Sequence, residues 1–110
     1  MSIYLLEIWI IKPEDEEEHR LIWEEFIGYM KLNPGLFGSI KSMKLFHKLS
    51  GNDSINYAQI VEFDNIEDKK SLDSRLLKDN ASMEFHQKLA CIKNVATTKE
   101  MLCEPFLEYG

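Results

Sequence analysis

The sequence predicts an α+β sandwich with the element order β-α-β-β-α-β, and three observations carry that prediction. Residues 3–11, Ile-Tyr-Leu-Leu-Glu-Ile-Trp-Ile-Ile, are apolar at odd and even positions alike, a strand with two dry faces interrupted only by Glu7. Stretches 14–33 and 66–93 repeat their apolar residues at three- and four-residue steps, the period of a helix with one buried stripe. Between them a turn cluster, Ser50-Gly51-Asn52-Asp53-Ser54, joins two strand-like segments as a hairpin.

Each element has a local reason. Strand 1 covers about residues 2–12, and Pro13 suits the first turn of the helix that follows. The acidic run Glu14 to Glu18 complements the positive end of that helix, whose buried stripe is Ile22, Trp23, Phe26, Ile27 and Met30. Glu16 stands four residues before Arg20 as a solvated support pair. Asn33-Pro34-Gly35 ends the helix. Strands 2 and 3 span about 38–49 and 55–63, and Asp64 or Asn65 can cap the next helix. That second helical region breaks at Lys78-Asp79-Asn80, between the Leu72, Leu76, Leu77 group and the Met83, Phe85, Leu89, Ile92 group. A last strand covers about 95–107, and Pro105 makes its end an edge or takes it out of the sheet.

The order is that of the split βαβ, or ferredoxin-like, arrangement, with a four-stranded antiparallel sheet in strand order 4-1-3-2. One domain over residues 1–110 is implied by the length. Helices cover one face only. Leu5, Trp9 and Ile11 are assigned to the other, where a second copy packed sheet against sheet is the simplest cover; Trp9 then lies at the dimer interface. Lys41, Lys44 and Lys48 on edge strand 2 oppose further strand pairing, so assembly is expected to stop at a homodimer.

Composition narrows the function. With 13 basic and 19 acidic residues the net charge is −6, which argues against a nucleic-acid partner. No apolar run is long enough to span a membrane, and no signal-peptide pattern is present. Cys91 and Cys103 are not closely spaced and read as reduced, partly buried thiols of a cytoplasmic protein. There is no glycine-rich phosphate loop, no hydrolase triad order and no close histidine pair for a metal.

Three stretches resemble the dimeric α+β barrel superfamily, in particular antibiotic-biosynthesis-monooxygenase-like (ABM-like) proteins. They are Ile11-Lys12-Pro13 leading into an acidic helix, the turn Asn33-Pro34-Gly35-Leu36-Phe37-Gly38, and Leu76-Leu77-Lys78-Asp79 followed by Met83-Glu84-Phe85-His86. The resemblance implies pairing as a dimeric α+β barrel but no single chemistry, because the scaffold hosts monooxygenases, haem-degrading enzymes, mutarotases and isomerases. The haem-degrading pattern places an Asn on strand 1, a Trp in the first half of the broken helix and a His in the second. His86 matches the last, whereas Glu7 and Leu76 stand at the other two, so no cofactor is implied and haem is left open. His19-Arg20-Leu21-Ile22-Trp23 resembles the His-x-x-x-Trp segment of the mutarotases.

His86 and Glu7 are the candidate catalytic residues, as base or hydrogen-bonding groups. A buried Glu7 would have its pKa raised by desolvation, which suits proton transfer near neutral pH. In the bland reading it pairs with Lys99 or Gln59 on a neighbouring strand. Trp23, Phe85 and Tyr57 are candidate walls of a pocket for a small organic, aromatic molecule, with Gln59 adding a polar tip. His19 reads as helix surface and His47 as solvated near a loop. Two functions follow. One is a cytosolic homodimer binding a small molecule, as a cofactor-independent monooxygenase-like, mutarotase-like or other proton-transfer enzyme. The other is a non-enzymatic ligand-sensing or assembly protein.

Overall fold

A computed structural model of the chain describes residues 2–51, 54–93 and 98–110. Strand β1 (Ile3–Trp9) leads through a 3-10 turn at Pro13–Asp15 into helix α1 (Glu16–Leu32). A one-turn helix α2 (Pro34–Phe37) precedes β2 (Ser42–His47), which is followed by β3 (Tyr57–Phe63). Helices α3 (Ile66–Leu76) and α4 (Asn80–Ile92) come next, then β4 (Lys99–Cys103). The strands form one antiparallel sheet in the order β2-β3-β1-β4, the predicted ferredoxin-like order, with β1 inside it. Of the predicted turn, Asn52 and Asp53 lie outside the described residues, as do residues 95–97 of the predicted last strand.

The element ends differ from expectation for identifiable reasons. The β1–β3 ladder stops at Trp9, and the Asn56 side chain extends it: Ile11 N–H donates to Oδ1 at 2.9 Å and Nδ2 donates to the Ile11 carbonyl at 2.7 Å. Asn56→Ala would strand both groups, so urea unfolding should show a loss of about 1–3 kcal/mol. At the other end, β4 stops at Cys103, before Pro105, which cannot donate to a ladder. The turn after α1 winds into α2 rather than opening. There, a Cβ on Gly38 would lie 2.8 Å from the Pro34 carbonyl oxygen, so only glycine fits that approach without a shift.

The break in the second helical region falls where the sequence places it. Asn65 caps α3 by accepting from Asp68 N–H, and Asp79 caps α4 by accepting from Ser82 N–H at 3.1 Å and Ser82 Oγ at 2.6 Å. The same Asp79 oxygen accepts the Tyr29 hydroxyl at 2.7 Å, which ties α4 to α1. Hydrogen bonds from Ser82 and Tyr29 hold the Asp79 carboxyl below its ordinary range.

The assignment of sheet faces must be corrected. Trp9 and Ile11 are fully buried beneath the helices, and Leu5 packs on the same core with Trp23, Phe26, Val61 and Phe63. Because β1 is apolar on both faces, period two alone could not say which face meets the helices. The helix-free face carries the even residues Tyr4, Leu6 and Ile8. Their cross-strand partners there are Glu62, Ile60 and Ala58 on β3 and Cys103, Met101 and Lys99 on β4. Phe46 and Met101 on this face are exposed. Two further expectations change: Cys91 is exposed, and Lys99 stands opposite Ile8, on the far side of the sheet from Glu7.

Candidate functional site

Between the sheet and the helices lies a cavity of about 320 Å³. Glu7 reaches it from the centre of β1, Gln59 from the facing position on β3, and His86 from the second turn of α4. Leu76 lines it as well, so the three positions aligned by the resemblance, Glu7, Leu76 and His86, converge on one space. Its remaining walls are mainly apolar, including Leu5, Phe26, Met30 and Val61, and its size falls within the range of small-molecule sites.

The polar end is built by the sheet register. Lys93, just past α4, places Nζ 2.8 Å from Glu7 Oε1, with both side chains 13% exposed, and the same ammonium lies 4.1 Å from the Trp9 ring centroid. Of the two partners the sequence offered, Lys99 and Gln59, neither supplies this ion pair; Glu7 pairs with a lysine at the end of a helix. Glu100 stands directly opposite Glu7 on β4. Desolvation first, then its hydrogen bond to Glu7 and the charge of Glu7, push the Glu100 carboxyl above its ordinary range. Lys69 and Asp73, an ion pair at 2.6 Å on α3, border the same end. Lys93, Glu100, Lys69 and Asp73 escaped the sequence reading. Only Glu100 left a signal there: it is two residues before Leu102, so alternation puts both on one face.

His86 is held by its own helix. Nδ1 lies 2.8 Å from the Ser82 carbonyl, which can only accept, so the neutral ring carries its proton on Nδ1 and its lone pair on Nε2. The ring meets Phe26 edge-on at 5.8 Å.

The other predicted wall residues separate. Trp23 is buried and does line the cavity, and its indole N–H has no partner among the described residues. Phe85 stands behind the wall, stacked on Phe26 at 4.9 Å and 9°. Tyr57 points to a different cleft, because it is one strand step beyond Gln59, next to α1. His19 is not on the helix surface: it is 4% exposed and accepts the Trp9 indole N–H on Nε2 at 3.0 Å. Burial, with a smaller contribution from the Lys93 charge, lowers its pKa to about 4. The α1 stripe extended back one turn from Ile22 and Trp23 lands on His19, a signal the sequence did contain. His47, last in β2, is exposed as expected.

The architecture defines a class: this chain has a ferredoxin-like α+β fold, and solved structures share it. A NIPSNAP family protein from Agrobacterium tumefaciens superposes with a TM-score of 0.73 at 15% identity, over 94% of this chain and 85% of that one. SnoaB, a cofactor-independent oxygenase from Streptomyces nogalater, does so with a TM-score of 0.69 at 8% identity, over 97% and 95%. A dimeric protein of unknown function and ferredoxin-like fold from Bacteroides fragilis gives 0.64 at 16%, over 94% and 96%. No family model and no curated protein sequence matches the chain. Among the described residues, no helix is long and apolar enough to cross a membrane.

Proposed function

We propose that this protein is a cytoplasmic homodimer that binds a small, largely apolar organic molecule in the 320 Å³ cavity and moves a proton on it. One observation carries the reading: His86 and Glu7, from opposite ends of the chain, border a single cavity whose remaining walls are mainly apolar. In this reading the Nε2 lone pair of His86 accepts a proton from an acidic C–H or O–H of the ligand. The Glu7–Lys93 pair and the Glu100 carboxyl hold the ligand's polar end. Proton abstraction is also the first demand of a cofactor-independent oxygenation, the activity of SnoaB. The dimer rests on the exposed apolar face around Leu6, Ile8, Ile60, Phe46 and Met101, which a second sheet would cover.

2-Naphthol is a suitable probe, being planar, of fitting size and fluorescent. Its fluorescence anisotropy should saturate on the wild-type protein. The double variant Glu7→Gln, His86→Ala should lose at least about tenfold in affinity while circular dichroism and sedimentation stay unchanged. No saturable binding, or equal binding by the double variant, would overturn the assignment. Ile8→Lys should shift sedimentation from dimer to monomer, and a wild type that sediments as a monomer would remove the dimer from the proposal.

A further inference from the structure

A second space of about 460 Å³ opens on the other side of Trp23, between α1 and the adjoining ends of β2 and β3. Its floor is aromatic. Tyr57 and Trp9 stack at 6.4 Å and 12°, Trp9 and Trp23 at 6.3 Å and 25°, and the His19 ring lies 4.3 Å from that of Tyr57. Ile27, Leu45 and Phe46 form its apolar sides. Its rim carries the carboxylates of Glu16, Glu17 and Glu24 against one guanidinium, Arg20, which is hydrogen-bonded to both Glu17 and Glu24. Three negative charges and one positive leave the rim at −2.

This combination selects a charge type. Ring faces attract cations, and carboxylates around a poorly hydrated floor strengthen that attraction. His19, with its pKa near 4, adds no positive charge to the floor at neutral pH. Glu16 already acts on the Tyr57 phenol, whose pKa is raised by burial and then by the Glu16 charge. The same ring column also stacks an ammonium elsewhere, Lys93 over Trp9 at 4.1 Å. An anion would meet a rim whose net charge repels it.

We propose that this cleft is a binding site for a small organic cation, an ammonium on an aryl or alkyl body. The cationic head rests against Tyr57 and Trp23 and faces Glu16, and the body lies along Ile27 and Leu45. The site is separate from the cavity of Glu7 and His86 and does not depend on its function.

Benzyltrimethylammonium is the probe, with benzyl alcohol and benzoate as its neutral and anionic counterparts. On the full-length protein, its N-methyl proton resonances should shift upfield and saturate, with affinity at least about tenfold above benzyl alcohol and no binding of benzoate. Tyr57→Leu should weaken the cation by about tenfold and benzyl alcohol far less. Glu16→Gln should weaken it by about threefold at low salt, and the difference should fade at 0.5 M salt, roughly, as screening sets in. The Glu7→Gln, His86→Ala variant should bind the cation as the wild type does. Equal affinity for the cation and benzyl alcohol, indifference to Tyr57→Leu, or loss of cation binding in the cavity variant would overturn the proposal.

Discussion

Lys93→Met should destabilise the protein by about 3–5 kcal/mol at neutral pH, the cost of leaving a buried charge without its partner. Methionine keeps most of the aliphatic stem against Trp9 but removes the ammonium 2.8 Å from Glu7. Glu7 then shares a rung with Glu100 and has no counter-charge at that distance among the described residues. Glu7→Gln combined with Lys93→Met should regain most of the stability, since both charges are then gone. Urea unfolding at pH 7 measures both comparisons. A loss below about 1 kcal/mol for Lys93→Met at pH 7 would mean that the pair behaves as a solvated surface bridge.

His19 should give the protein a stability that fails in mild acid. Its folded pKa lies near 4 against an ordinary 6.5. Between those values the unfolded chain takes up a proton that the folded chain refuses, so stability is fully present above pH 6.5 and is lost as pH falls towards 4. The size is up to about 3 kcal/mol, because each pH unit of difference corresponds to about 1.4 kcal/mol. The physical cause is specific: a protonated ring has no lone pair on Nε2 and would face the Trp9 N–H donor to donor. His19→Gln offers an oxygen to that N–H without titrating in this range. Its unfolding free energy should therefore lack the wild-type decline between pH 6.5 and 4. An equal decline in both proteins would assign the acid sensitivity to other groups.

Much of the fold was legible in the sequence because its signals are local. The period of α1, the Pro13 entry, the Asn65 cap, the interruption at Lys78-Asp79-Asn80 and the limit imposed by Pro105 each depend on a few adjacent residues. Element ends were less legible where side chains do the work of backbone. Asn56 closes the β1 end from across the sheet, and nothing near Ile11 announces it. The candidate site divides in the same way. Glu7, with its uncommon setting in an apolar strand, and His86, at its place in the broken helix, were both visible. Their partners were not, because Lys93 and Glu100 reach Glu7 only through the packing of α4 and the register of β4.

The opening strand shows where the boundary lies. By itself the sequence determined that the stretch beginning at Ile3 forms an inner strand with two dry faces and one carboxylate, since that follows from residue type and a period of two; the strand itself ends at Trp9. Only the tertiary structure decided which face is which. A strand apolar on both faces is symmetric until a helix covers one side, and the Trp9 indole, pinned by His19 of α1, marks the covered side. That choice moved Trp9 from a presumed interface into the core and left Leu6 and Ile8 on the open face. It also turned Glu7 inward, to a lysine and a second carboxylate whose places depend on contacts distant in sequence.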